Sequence, residues 1–89
     1  MVSYPCPCCG YKTFCHEPNG SYDICEVYFW EDDPVQLADP DFEGGANRMS
    51  LRQAQQNFLA FGASEPNMLK NVRPPTIDEQ RDENWKPIA

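Results

Sequence analysis

Apolar and polar positions divide the chain into two unlike halves. Up to residue 30, short runs rich in Tyr, Phe, Val and Ile are broken by Pro and Gly. Two of these runs, Val2 to Pro5 and Tyr11 to Cys15, predict the strands of a hairpin around the first cysteines. The turn "EPNGS" contains Asn19-Gly20, a strong short-range turn signal, and leads into a predicted third strand at Tyr22 to Ile24. Residues 31 to 47 carry no period and contain Pro34, Pro40 and Gly44-Gly45. A loop of that length in a small domain is ordinarily functional or disordered.

Beyond it the period becomes helical. Ser50 and Gln53 match a capping box, in which a hydroxyl and an amide each satisfy an unpaired backbone N–H. Leu51, Ala54, Phe58 and Phe61 then form one apolar face, and Gly62 stands where a left-handed residue would end the helix. That stripe reads as core packed on the small sheet. A second short helix is predicted from Glu65 to Asn71, with Ser64 as N-cap and Pro66 in its first turn. Pro74-Pro75 forces residues 72 to 76 to be extended. Thr76 with Glu79 offers another capping box, but "DEQRDEN" lacks an apolar face. The polar tail, residues 76–89, is therefore expected to be partly helical or frayed unless Trp85 docks, and residues 1–75 form a single domain.

Charge narrows the picture. Fourteen acidic residues against seven basic ones give the 89-residue chain a net charge of −7. Such a balance repels nucleic-acid phosphates and anionic membranes, so neither is expected as a direct partner. No signal-like segment opens the chain and no apolar run approaches ~18 residues, which leads to the expectation of a soluble, cytoplasmic protein. The excess is concentrated in "EDDPVQLADPDFE", where Glu31, Asp32, Asp33, Asp39, Asp41 and Glu43 occur with no Lys or Arg. One reading is a solvated loop; the other is a landing site that steers a basic partner. These acids can also cap helices or pair with Arg48 and Arg52.

The cysteines carry the candidate chemistry. All five lie in the first half, an odd number that argues against a disulfide framework, as does the expected reducing compartment. Two ligands separated by two residues in a tight turn can face one ion, and Cys6-Pro7-Cys8-Cys9-Gly10 has this form with Cys6 and Cys9 as the pair. Fifteen residues separate Cys9 from Cys25, and the position three beyond Cys25 is Tyr28. The pattern is thus C-x2-C-x15-C-x2-Y, three quarters of a zinc-ribbon signature. Cys15 and His16, on the connection, are candidates for the missing ligand, and Cys8 is a weaker one. Two alternatives stand beside a zinc site. One is a metal-free fold with buried or disulfide-linked cysteines; the other is a redox use of Cys6 and Cys9, which lack the helix start that disulfide catalysts use. The fold class that follows is α+β: a small zinc-ribbon-like antiparallel hairpin or sheet, packed against one main C-terminal helix plus a short second helix.

The stretches "YPCPCCGYKT", "YDIC", "FWEDD", "GGAN" and "SLRQAQQNFLAFGASEP" resemble, in order and over roughly residues 4 to 75, the cysteine-rich CPCC family of small bacterial proteins. The resemblance implies that Cys6, Cys9 and Cys25 correspond to the cysteines taken to be the family's metal ligands, with Zn2+ as a structural ion. It further implies that a cysteine ordinarily stands where this chain has Tyr28. It says little about function, although some members look like immunity proteins that accompany bacterial toxins.

Three functions compete on these residues. The first is a non-enzymatic protein-binding module, most concretely an immunity protein that blocks the positive groove of a basic, nuclease-type toxin. Asp32, Asp33, Asp39, Asp41 and Glu43 with Glu31 would supply the charge, and Trp30 and Phe42, if exposed, the anchors. Trp30 is also a natural core aromatic. The second is a zinc-ribbon accessory protein of general metabolism or transcription with no toxin partner. The third, an enzyme, is disfavoured: three thiolates make zinc a poor Lewis acid, and a single His offers no acid–base pair.

Overall fold

The computed structural model describes residues 3–88. Its elements are β1 (Tyr4–Pro5), β2 (Lys12–Phe14), α1 (Pro34–Ala38), α2 (Leu51–Phe61) and a single 3-10 turn at Pro66–Met68. β1 and β2 pair antiparallel, Tyr4 with Phe14 and Pro5 with Lys12, with a bulge between the two pairs. The hairpin is the predicted one in shortened form, and Val2 lies outside the described residues. The third strand is reduced to an isolated bridge between Ile24 and Glu31. Tyr22 explains the break: its φ of 65° is left-handed, which no strand residue adopts.

The main helix follows its sequence signals closely. The Gln53 amide N–H donates to Ser50 Oγ at 3.1 Å, and the Ser50 N–H donates to Gln53 Oε1 at 3.0 Å. Gly62, at φ 79°, ends α2 by donating to the Phe58 carbonyl. Leu51 and Ala54 are buried, Phe58 is half-buried, and Phe61 at the far end is exposed. Gln55 is buried in its place, because its amide donates to the Pro7 carbonyl at 2.9 Å and its Oε1 accepts from the Ile88 N–H at 2.8 Å. The predicted second helix shrinks to the 3-10 turn: Ser64 does not cap it but donates its hydroxyl to the Phe29 carbonyl at 3.1 Å.

The acidic segment is ordered from inside. Asp33 caps α1, accepting from Val35 and Gln36 on Oδ1 and from Ala46 on Oδ2, while Pro34 occupies the first helical turn. These backbone donors, Ala46 foremost, hold the Asp33 carboxyl below its ordinary range. Gln36 is fully buried and donates to the carbonyls of Phe42, Asn47 and Met49, while its Oε1 accepts from Asn47. Asn47 in turn closes a reciprocal pair with the backbone of Glu31. Buried polar groups are costly unless satisfied, and here one glutamine reaches five loop groups, with three carbonyls sharing its two N–H protons.

The tail docks. Lys12 N–H donates to the Gln80 carbonyl, Tyr11 bridges Arg81, and Asp82 N–H donates to the Gly10 carbonyl, so the tail lies antiparallel along the edge of β2. Thr76 N–H donates to Glu79 Oε1, but no helix follows. The Trp85 indole N–H donates to the Pro7 carbonyl at 2.8 Å, and Arg81 lies 4.8 Å from the ring centre. Trp85 sits so close over Gly10 that an added Cβ there would stand 2.6 Å from the indole. Trp85→Ala should release the tail, costing about 2–3 kcal/mol because the ring is only partly buried. Denaturant unfolding and faster hydrogen exchange at Lys12 and Asp82 would register it; unchanged exchange there would refute the docking.

Candidate metal centre

The centre of the core is sulfur. Cys6, Cys8, Cys9 and Cys25 are fully buried together with Val27 and Trp30, under Phe14, Leu51 and Ala54. Two turns of the same construction bring them there. In the first, Gly10 N–H donates to the Cys6 carbonyl at 2.7 Å and Cys6 N–H to the Tyr11 carbonyl at 2.8 Å. In the second, Phe29 N–H donates to the Cys25 carbonyl at 2.8 Å and Cys25 N–H to the Trp30 carbonyl at 2.9 Å. Gly10 and Phe29 occupy the same place and share a left-handed φ, 80° and 65°. Turn for turn, Cys6 matches Cys25 and Cys9 matches Tyr28.

The sulfurs of Cys6, Cys9 and Cys25 all lie within 4.8 Å of one another, and Cys9 Sγ stands 3.9 Å from Cys25 Sγ. A disulfide requires about 2.0 Å, and all five cysteines are free thiols. Two thiolates bonded to one zinc at about 2.3 Å in a tetrahedron stand about 3.8 Å apart, so the spacing suits a shared ion. Donors surround the sulfurs as well. Thr13 Oγ1 donates to Cys25 Sγ at 3.2 Å, and the backbone N–H groups of Tyr11 and Tyr28 point at Cys9 and Cys25. Hydrogen bonds from Cys6, then Cys9 and Thr13, pull the Cys25 thiol below its ordinary range. Burial pushes Cys6 and Cys8 up, and donation to Cys25 pushes Cys9 up. Thr13 carried no spacing signal; its hydroxyl matters only because β2 turns it toward the second cysteine turn.

Among the described residues no fourth Cys, His, Asp or Glu joins this group. Cys15 and His16 are both exposed and line an open groove with Tyr22, Ile24 and Glu26 instead of reaching the sulfurs, because the chain after β2 turns outward. The expectation that either supplies the fourth ligand is therefore not met in this structure. Tyr28, at the fourth turn position, packs its ring 4.7 Å from Phe58 and 5.6 Å from Tyr11. Burial, and then Tyr11 beside it, push its phenol up to about 12, which makes it a poor ligand. The donor set thus fits three positions of a closed zinc site and not the fourth.

The residues proposed for a partner divide in two. Trp30 is fully buried and cannot anchor an interface, and Asp32 and Asp33 are interior as well. Asp32 Oδ2 accepts from the backbone N–H groups of Asn19, Gly20 and Ser21 and from the Ser21 hydroxyl, pinning the Asn-Gly turn to the second cysteine turn. These three are corrections: their polarity and aromaticity serve the fold. Glu31 is half-buried, and Asp39, Asp41, Phe42 and Glu43 are exposed. Asp41 pairs with Arg52 at 2.7 Å.

If the three sulfurs hold an ion, Cys9→Ser or Cys25→Ser will abolish its retention, whereas Cys15→Ser and His16→Ala will leave it unchanged. Elemental analysis of freshly purified, reduced protein makes the comparison. Loss of metal from His16→Ala or Cys15→Ser would contradict the assignment.

No helix among the described residues is long and apolar enough to cross a membrane. No curated protein matches the chain. The family model described as Cysteine-rich CPCC matches residues 4–79, from the first strand to the Thr76–Glu79 turn. With its two cysteine turns and its buried sulfur group inside that span, the chain belongs to the cysteine-rich CPCC family.

Proposed function

We propose that the protein is a non-enzymatic binding module, in which a structural metal ion at Cys6, Cys9 and Cys25 holds the fold and an acidic loop receives a basic protein. When bound, the ion supplies cross-linking of the two turns and no chemistry on a substrate. The reading as a structural centre is supported by burial: all three cysteines are fully buried, whereas a catalytic metal needs a position open to water or substrate.

The observation that carries the binding role is the internal support of the acidic loop. Gln36 and Asn47 fix residues 31 to 49 from within, and leave Asp39, Asp41, Phe42 and Glu43 facing solvent. A loop already ordered loses little conformational entropy on binding. Phe42, 41% exposed, supplies an apolar contact between the acids. A nuclease must present a positive groove to nucleic acid, and a rigid acidic loop on a chain of charge −7 suits occlusion of such a groove. The most concrete form of this function is an immunity protein against a basic, nuclease-type toxin encoded beside its gene.

Purified with such a toxin, the protein should form a 1:1 complex whose association slows steeply as salt rises. Asp39→Lys combined with Glu43→Lys should lower the association rate at low salt by about tenfold or more, with the difference shrinking as salt screens it. Stopped-flow association measures both. Absence of a complex at low salt, or a rate indifferent to charge reversal, would sink the proposal.

A further inference from the structure

We propose that Cys6, Cys9 and Cys25 form a three-sulfur site whose preferred ion is Cu+, not a four-coordinate Zn2+. The inference rests on the metal-centre reading above and names the ion from the coordination that this chain can offer. The second cysteine turn keeps the backbone of the first down to both closing hydrogen bonds. It even holds Phe29 at a φ of 65°, a left-handed conformation that is costly for a non-glycine residue. What has changed is the ligand position itself. The Tyr28 ring extends past the place of a sulfur and settles among Tyr11, Phe58 and Gly62.

Structural zinc takes four ligands almost without exception. Soft thiolates select Cu+ as well, and that ion is satisfied by three sulfurs. Three sulfurs in a plane around an ion at about 2.3 Å stand about 4.0 Å apart, and four in a tetrahedron about 3.8 Å. The observed 3.9 Å between Cys9 and Cys25 accommodates either, so the count of donors decides. Charge does not oppose the assignment: Cu+ with three thiolates carries the same net −2 as Zn2+ with four. The Thr13 hydroxyl and the N–H groups of Tyr11 and Tyr28 are aimed at that charge.

The test is an anaerobic titration of the reduced chain with Cu+ against a competing Cu+ chelator, and separately with Zn2+, with X-ray absorption to count the sulfurs. One Cu+ per chain on three sulfurs is expected. Zn2+ should bind the unchanged chain on the order of 100-fold more weakly than it binds Tyr28→Cys, since a direct ligand counts for at least as much as an outer-shell partner. Cys15→Ser, an exposed change, should alter neither ion. Zinc held by the unchanged chain on four protein ligands, or as tightly as by Tyr28→Cys, would overturn the proposal while leaving the metal centre standing. Retention of neither ion by the unchanged chain would overturn both. If Tyr28→Cys does not fold, the sulfur counts in the unchanged chain decide alone.

Discussion

Everything in this small fold is arranged around three sulfur atoms turned toward one point. Sulfurs at 3.9 Å are too far apart to be bonded to each other, and they occupy ground that larger apolar side chains would otherwise fill. A chain of 89 residues buries little apolar surface, and domains of this size often depend on a staple. The backbone shows how the point is held. Each of two turns closes on itself with a carbonyl-to-amide bond, then pairs outward, and so aims its side chains inward; only the first is flanked by paired strands. The Pro7 carbonyl inside the first turn accepts from both Gln55 and Trp85, which makes the turn the meeting place of α2 and the tail.

The acidic segment depends on the same centre, one layer out. Asp32 ties the Asn-Gly turn to the second cysteine turn, and Asp33 starts α1 directly after it. Gln36 then collects the carbonyls of a long return. Two of the six acids, Asp32 and Asp33, are thereby spent on structure, and the exposed surface left for a partner is small: Asp39, Asp41, Phe42 and Glu43. Function as a binder would thus follow from scaffolding, since a loop without Gln36 and Asn47 would have to be ordered on contact.

How much of this was legible in the sequence depended on distance along the chain. The α2 boundaries were read correctly because the Ser50–Gln53 box and the left-handed Gly62 are local devices. The cysteine spacing placed Cys6, Cys9 and Cys25 together because turn geometry fixes such pairs within a few residues. α1 was missed although Asp33-Pro34 is an N-cap followed by a first-turn proline; five residues are too few to display a helical period. The hub role of Gln36 and the docking of Trp85 on Pro7 left no periodic trace, being contacts between residues far apart in the chain. Trp30 and Asp32 show the converse error, in which an aromatic beside acids looks like an interface until burial is known.

The claim that a metal ion completes this fold is tested most directly by thermal unfolding of freshly purified, reduced protein, followed by near-UV circular dichroism before and after a strong chelator. The account predicts a cooperative transition with metal that falls sharply in midpoint, or is lost, once the ion is stripped, and that returns when the ion is restored. An unchanged midpoint and unchanged tertiary signal in metal-free protein would show that sulfur packing alone holds the turns.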